Sequence, residues 1–209
     1  MNMQKTTDNF LIATMSAEHV KPMVIVHLSA FPNFFLSFLG ARFLEAFYNS
    51  FINKTCGVAM VALNDKNAVI GGIVGPLLPH GFFKRLLLKK CWLFAILCIP
   101  AFFKKPSIFF RLLQNLFYRG NEPDDGINRA LLSSVAVAPE AQGRGIGKEL
   151  ITAWLEKVRN AGCAGAYLTT DAVNNDQTNT FYQRLGWILE SQYTTPQGRK
   201  MNRYVFNFK

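Results

Sequence analysis

The stretch 135–148 constrains this chain more than any other part of its sequence. Its apolar, β-branched start predicts a buried strand that ends at Pro139, and a glycine-rich turn then opens an amphipathic helix. Gly143, Gly145 and Gly147 stand at alternate positions, where a backbone free of side chains can turn its N–H groups toward a ligand. Since the start of a helix carries about half a positive charge, the pattern predicts an anion site, with pyrophosphate as the natural occupant.

The loop departs from the two commonest nucleotide-binding patterns. A Walker loop needs glycine five residues before its Gly-Lys pair and Ser or Thr after it, but this chain has Gln142 and Glu149 at those positions. A dinucleotide fingerprint needs its third glycine one residue later than Gly147. A different pyrophosphate ligand is therefore expected.

Two motifs together carry a family resemblance. Residues 142–147 match the loop pattern Q/R-x-x-G-x-G/A, and a second pattern, N-x(6)-[FY]-Y-x-x-x-G-[FW], follows downstream. Asn175, Phe181, Tyr182, Gly186 and Trp187 correspond to the second pattern, with five residues in place of six between Asn175 and Phe181. With both motifs at the expected separation, residues 131–187 resemble the GNAT superfamily of acetyl-CoA-dependent N-acetyltransferases.

The resemblance implies where acetyl-CoA binds. In such a fold the strand ending at Val137 splays from the strand at residues 164–169, and the pantetheine arm lies in the gap. Backbone groups of the first strand would bind the arm, the loop would bind the phosphates, and an asparagine would bond the pantetheine or phosphate region. The implied cofactor-binding residues are Val135, Val137, Gln142, Gly143, Arg144, Gly145, Ile146, Gly147, Lys148 and Asn175.

The resemblance also implies the chemistry, in which a primary amine attacks the acetyl thioester directly in a ternary complex. Tyr182 would protonate the leaving thiolate, because a phenol is neutral at pH 7 and has a pKa close to that of a thiol. The alternative for Tyr182 is packing on the cofactor without proton transfer. A backbone N–H on the splayed strand would stabilise the oxyanion.

The general base is less well defined by the sequence. Many members of the superfamily have Glu at the position that Leu131 occupies here. Asp171, just past the strand at 164–169, is the first candidate for the base, and its alternative role is to cap the following turn. His27 and His80 follow, and a water chain to solvent is a further alternative.

The residues from His27 to Gly40 resemble a GNAT subgroup of bacterial surface-polysaccharide pathways. The resemblance implies a nucleotide-linked amino sugar as acceptor, with His27, Phe34, Phe35 and His80 as candidate substrate-binding residues. The alternatives are a peptide N-terminus, a polyamine, an aminoglycoside, or a non-catalytic module that senses acyl-CoA.

Composition and element order predict one α/β domain over residues 1–209. Half of the residues are hydrophobic and 17% are charged, which excludes a mainly disordered chain. The resemblance implies a mixed, mostly antiparallel central sheet, splayed at the cofactor cleft, with a helical insertion before the central strand. Predicted strands cover 10–14, 57–63, 68–74, 130–137, 164–169, 187–193 and 201–208. Predicted helices cover 16–30, 34–53, 83–99, 107–118, 145–160 and 175–185.

The insertion, residues 81–120, holds eight basic residues and no acidic one, in a chain of net charge +10. Lys and Arg here could pair with a substrate diphosphate. Its apolar residues leave three alternatives open: a helical hairpin that caps the domain's own core, a homodimer interface, or contact with a membrane surface. Nucleic-acid binding is disfavoured because aliphatic residues interrupt the basic ones.

The cysteines and the apolar runs predict a cytoplasmic protein, with contact to the inner membrane face as an alternative. No C-x-x-C pair or metal-ligand spacing occurs, which favours reduced thiols and no metal. The longest uncharged apolar run, 91–103, is too short to span a bilayer, and the first residues do not resemble a cleaved signal peptide. The four cysteines are Cys56, Cys91, Cys98 and Cys163.

Overall fold

The computed structural model describes residues 10–32, 34–52, 57–80, 82, 123, 125–196 and 198–208. The strands are β1 Phe10–Thr14, β2 Gly57–Asn64, β3 Val69–Pro76, β4 Arg129–Leu131, β5 Ser134–Val137, β6 Gly165–Asp171, β7 Ile188–Thr194 and β8 Lys200–Asn207. The helices are α1 Ala17–Ala30, α2 Phe35–Phe38, α3 Ala41–Asn49, α4 Ile146–Asn160 and α5 Asp176–Arg184, with a 3-10 turn at Pro139–Ala141.

The strands form two four-stranded sheets, in the orders β1-β2-β3-β5 and β4-β6-β8-β7. Only the pairing of β4 with β6 is parallel among these strands, and the other pairs are antiparallel. The mixed, mostly antiparallel architecture expected from the sequence is confirmed. Apart from the two elements discussed next, the predicted elements within the described residues agree with the structure to within two residues.

The prediction of one continuous strand at 130–137 is wrong. The chain belongs to one sheet through β4 and to the other through β5, and it changes sheets at Leu132 and Ser133. The Leu132 N–H donates to the carbonyl of Tyr167 on β6, whereas the Ser133 N–H donates to the carbonyl of Val74 on β3, both at 2.9 Å. The two sheets diverge at this point, which opens a cleft between β5 and β6.

The prediction of one helix from residue 34 to residue 53 is also wrong. The chain turns at Leu39 and Gly40, which separates α2 from α3, and α3 ends at Asn49. Gly40 has φ +91°, a conformation that a helix excludes and that glycine adopts without the strain of a Cβ atom. The apolar spacing continues through the break, because both helices bury residues in the same core.

Helices α1 and α4 pack on opposite faces of the first sheet. A Cβ atom at Gly72 would lie 2.5 Å from the Sδ of Met23 on α1, and one at Gly71 would lie 3.2 Å from Leu150 on α4. Neighbouring residues of a strand point to opposite faces, so β3 brings its backbone close to a helix on each side. The sheet is thereby covered on both faces, and the start of α4 is held beside the end of β5.

The predicted insertion at 81–120, including its two helices, lies outside the described residues apart from Phe82. That side chain is buried and stacks on Phe51, with ring centroids 5.2 Å apart. Within the described part of the chain, no helix has the length and apolar character needed to cross a membrane.

Candidate active site

The edge of β5 that faces away from β3 presents backbone groups to the cleft. Ala138 N–H bonds to the carbonyl of Ile70, which fixes the alternation of the β3–β5 ladder. Ser134 and Ala136 therefore bond toward β3, whereas the N–H and C=O groups of Val135 and Val137 point away from it. No described strand pairs with that edge. The two valines predicted to bind a cofactor arm thus have backbone groups oriented toward the cleft.

The opposite wall of the cleft is the end of β6. Ala172 N–H bonds to the carbonyl of Lys200, so the even-numbered residues of β6 bond toward β8. The backbone groups of Thr169 and Asp171 consequently point toward the cleft. The arrangement resembles a sheet from which one strand is missing, because β4 pairs with β6 only at residues 165–167.

The glycine loop lies at the end of β5 and leads into α4. Gly143 and Gly145 have φ of +78° and +82°, and a Cβ atom at either position would meet nothing within 4 Å. Glycine is therefore required there by backbone conformation and not by crowding within the protein. Gly147 is closer packed, since its Cβ atom would lie 3.5 Å from the ring of Phe181 on α5.

The loop has the charge and the donors that an anion needs. Residues 142–145 are exposed, and Gly145 is the N-cap of the fifteen-residue helix α4. The first backbone N–H groups of a helix lack partners within it and carry its positive dipole end. Arg144 and Lys148 add two cationic side chains, and the side chain of Gln142 donates to the carbonyl of Val137 at 3.1 Å. The geometry fits a pyrophosphate, and the assignment of the loop residues to cofactor binding stays a prediction.

Asn175 lies at the start of α5 and binds back to the end of β6. Its Nδ2 donates to Thr170 Oγ1 at 2.6 Å and to the Asp171 carbonyl at 3.2 Å. Asn179, one turn later, donates to the same carbonyl at 3.0 Å. The two amides hold the helix at the cleft.

Sequence reasoning missed a buried polar network beneath α5. The Oδ1 of Asn179 accepts hydrogen bonds from Asn202 Nδ2 at 3.0 Å and from Tyr204 Oη at 3.1 Å. All three residues are buried. One sequence feature could have indicated this network. Asn179 comes four residues after Asn175, on the face of the helix that packs on the sheet, where an apolar residue would be expected.

Tyr182 is buried on the inner face of α5, with 6% of its surface exposed. Its ring lies 5.9 Å from that of Trp187 and 6.2 Å from that of Tyr204. Burial raises the pKa of the Tyr182 phenol well above its ordinary value, because the phenolate would lose its hydration. The side chain is therefore a neutral phenol at physiological pH, as donation of a proton requires.

Asp171 is engaged by an arginine at the end of β6. Its two carboxylate oxygens accept three hydrogen bonds from Arg199, at 2.7 to 3.1 Å, and both side chains are about 40% exposed. Taking a proton from an amine would require this ion pair to open. The role of Asp171 as base remains a prediction.

The predicted acceptor residues fall in two places. His27 is fully buried on α1 and its ring lies 5.3 Å from that of Phe31, which in turn lies 5.8 Å from that of Phe34. Phe35 begins α2, and its side chain is outside the described part of the chain. His80 lies four residues past the end of β3.

His27 forms a short contact that the sequence did not indicate. Its Nδ1 lies 2.7 Å from the Oη of Tyr48 on α3, and both side chains are buried. Burial lowers the pKa of His27 to about 4. His27 and Tyr48 are 21 residues apart and lie on different helices, so no local pattern links them.

The described residues hold no group of three or more side chains suited to bind a metal ion. The model of the Acetyltransferase (GNAT) family matches residues 27–187, which include the cleft, the glycine loop and α5. The chain belongs to the GNAT acetyltransferase family. This GNAT chain therefore has the acetyltransferase domain that its two motifs predicted.

A curated relative of this GNAT chain is a mycothiol acetyltransferase from Pseudarthrobacter chlorophenolicus, 40% identical over 62 residues, which are 28% of this chain and 19% of the relative. The chain spans about a fifth of the length of the curated relatives it matches.

Solved structures share the fold. The protein yncA from Salmonella typhimurium, solved with its cofactor acetyl-CoA, has a TM-score of 0.59 at 11% identity, over 96% of this chain and 94% of that one. The ribosomal-protein-S18-alanine N-acetyltransferase from Escherichia coli has a TM-score of 0.57 at 13% identity, over 95% and 94%. At these identities the likeness concerns the fold alone.

Proposed function

We propose that this chain is an N-acetyltransferase that transfers the acetyl group of acetyl-CoA to a primary amine in a ternary complex. The observation that carries the proposal is the unpaired edge of β5, which runs directly into a positive-φ glycine loop at the start of α4. An extended amide chain can bond to such an edge, while a helix N-terminus attracts the phosphates beyond it.

The described side chains suit the chemistry of this reaction. Acetyl-CoA, when bound, supplies a thioester whose carbonyl carbon an amine can attack. The backbone of Val135 and Val137 would bind the pantetheine arm, and residues 142–148 would bind the phosphates. The buried phenol of Tyr182 would protonate the departing sulfur. Holding both reactants in one cleft supplies much of the rate enhancement.

For the acceptor we propose a nucleotide-linked amino sugar of surface-glycan biosynthesis. The support is the basic segment 81–120, which can pair with a diphosphate, and the aromatic cluster of Phe31 and Phe34 beside His27. His80 and Phe35 stay candidates for the same pocket. A cytoplasmic location fits such a substrate. Contact of 81–120 with a membrane or a second subunit is an alternative that vesicle sedimentation and sedimentation velocity would test.

A non-catalytic acyl-CoA sensor is the second candidate function. Leu131 supplies no carboxylate at the position where many members of the superfamily have Glu, and the carboxylate of Asp171 is bonded to Arg199. A protein of this kind would bind the cofactor tightly without turnover.

Release of free CoA thiol from acetyl-CoA, measured against a panel of amines, separates these functions. The panel contains UDP- and dTDP-linked amino sugars, polyamines, aminoglycosides and short peptides, with an amine-free blank for each. We expect turnover with one nucleotide sugar. Turnover on peptides, polyamines or aminoglycosides alone would overturn the acceptor, whereas acetyl-CoA binding without turnover on any amine would favour the sensor.

A further inference from the structure

We propose that Asn179 positions Tyr182 for the reaction by fixing the helix α5 against the second sheet. The inference rests on the proposed acetyltransferase function and deepens it, because Tyr182 is the residue that would protonate the departing sulfur. Asn179 is a positioning residue, since it acts on the reaction only through Tyr182.

The side-chain amide of Asn179 uses all four of its hydrogen-bonding positions. Its Nδ2 donates to the carbonyl of Asp171 on β6 at 3.0 Å and to the carbonyl of Asn175 at 2.9 Å. Its Oδ1 accepts from Asn202 Nδ2 at 3.0 Å and from Tyr204 Oη at 3.1 Å, both on β8. Backbone carbonyls only accept, so the nitrogen must face Asp171 and Asn175, and the orientation of the amide is fixed.

This bonded amide favours one position of α5 on the sheet. Asn179, Asn202 and Tyr204 are all buried, and a buried amide costs free energy unless its donors and acceptors are bonded. A shift of the helix along the sheet would break several of these bonds together. An apolar side chain could also fill the site, but it would tolerate such a shift, because hydrophobic burial is not directional. The network therefore specifies where α5 lies relative to β6 and β8.

Two routes connect Asn179 to Tyr182. The two residues are three positions apart on α5 and both are buried, so the bonds of Asn179 fix the backbone that carries Tyr182. In addition, Tyr204, whose hydroxyl bonds to Asn179, has its ring 6.2 Å from that of Tyr182. The hydrogen bonds of one amide thus set both the helix turn that carries the phenol and one of the rings that pack on it.

The expected chemistry depends on this position. In the proposed reaction, the phenol of Tyr182 gives its proton to sulfur as the C–S bond breaks and the bonding electron pair stays on sulfur. The amine nitrogen loses one proton on becoming an amide, and this proton restores the phenol through solvent, so the protons balance. The transfer requires the phenol oxygen within hydrogen-bond reach of the sulfur, and a displacement of about 1 Å can cost about a hundredfold in rate.

Asn179→Ala and Gln192→Ala form a matched pair of variants. Gln192 Nε2 donates to Asn202 Oδ1 at 2.8 Å, so its removal also deletes a hydrogen bond of the network, but from β7 and not from α5. With the most active amine of the panel, we expect Asn179→Ala to lower kcat about tenfold. Acetyl-CoA affinity should stay within about threefold, because Asn175 keeps its bond to Thr170 Oγ1. Gln192→Ala should keep kcat within about twofold.

A double-mutant cycle with Tyr182→Phe separates positioning from a general loss of structure. Once the phenol proton is gone, the position of the ring matters little, so Asn179→Ala in the Tyr182→Phe background should lower kcat by no more than about twofold. A merely structural role would lower kcat by the same factor in both backgrounds. Tyr204→Phe keeps the ring beside Tyr182 and removes only the hydroxyl bonded to Asn179, and it should lower kcat about threefold. If Asn179→Ala does not fold, the same cycle is made with Tyr204→Phe.

The outcomes distinguish the inference from the proposed function. Equal losses in the two backgrounds, or wild-type kcat in both Asn179→Ala and Tyr204→Phe, would overturn the inference while the acetyltransferase function stands. An unchanged kcat in Tyr182→Phe would overturn it as well. Absence of turnover with every amine in the wild-type protein would instead overturn the proposed function itself.

Discussion

At the scale of single residues, burial decides which ionisable groups can act. The phenol of Tyr182 and the imidazole of His27 are both surrounded by apolar side chains, and burial disfavours the charged form of each. Tyr182 therefore keeps its proton at physiological pH. His27 stays neutral at physiological pH, and its Nδ1 lies 2.7 Å from the phenol oxygen of Tyr48.

Tyr182→Phe tests the general acid. The variant keeps the ring and its packing against Trp187 and Tyr204 but removes the proton. We expect kcat to fall about a hundredfold, with acetyl-CoA affinity unchanged. Tyr193→Phe on β7, at the far edge of the second sheet, is the control and should keep its rate. An unchanged kcat in Tyr182→Phe would exclude the phenol as proton donor.

His27 makes stability depend on pH in a defined window. Its pKa is about 4 in the folded protein, against an ordinary value of 6.5 in the unfolded chain, so the unfolded chain binds more protons between these values. Folding stability should fall as pH drops from 7 toward 5, by about 2 kcal/mol from this group. Urea unfolding of wild type and His27→Gln at both pH values measures the difference. Equal pH dependence in the two proteins would contradict the buried neutral ring.

At the scale of elements, local sequence patterns predicted most of the described helices and strands. The glycine loop, α4 and α5 follow from turn residues and apolar spacing close together in the chain. The split of 130–137 into β4 and β5 depends on which strand each half pairs with. A run of apolar residues looks the same whether it belongs to one sheet or to two, so the sequence did not predict the split. The contact of Tyr48 with His27 depends on α3 packing against α1, which no short-range signal encodes.

The glycine loop gives a prediction at this scale. Gly145→Ala and Gly198→Ala place the same Cβ strain at φ near +80°, and neither Cβ atom would meet a neighbour within 4 Å. Each should cost about 1 to 2 kcal/mol in unfolding experiments. Only Gly145→Ala should weaken acetyl-CoA binding, because Gly198 lies in the β7–β8 turn. Equal affinities in the two variants would place the phosphates elsewhere.

At the scale of the whole molecule, the two sheets form the cleft, whereas most of the net charge lies in another part of the sequence. The sheets share a core but diverge at Leu132 and Ser133, so the fold retains a cleft between the edge of β5 and the end of β6. Eight of the ten net positive charges fall in 81–120, outside the part of the chain that positions the cleft. If the acceptor binds to this basic segment, we predict that added salt weakens acceptor binding more than it weakens binding of the pantetheine arm of the cofactor.

Calorimetric titration of acetyl-CoA into the wild-type protein tests the central claim most directly. The cleft and the loop predict one saturable site per chain, with affinity reduced in Gly145→Ala and unchanged in Gly198→Ala. Absence of binding to the wild-type protein, or equal binding by both glycine variants, would contradict the assignment of the β5 edge and the glycine loop as the cofactor site.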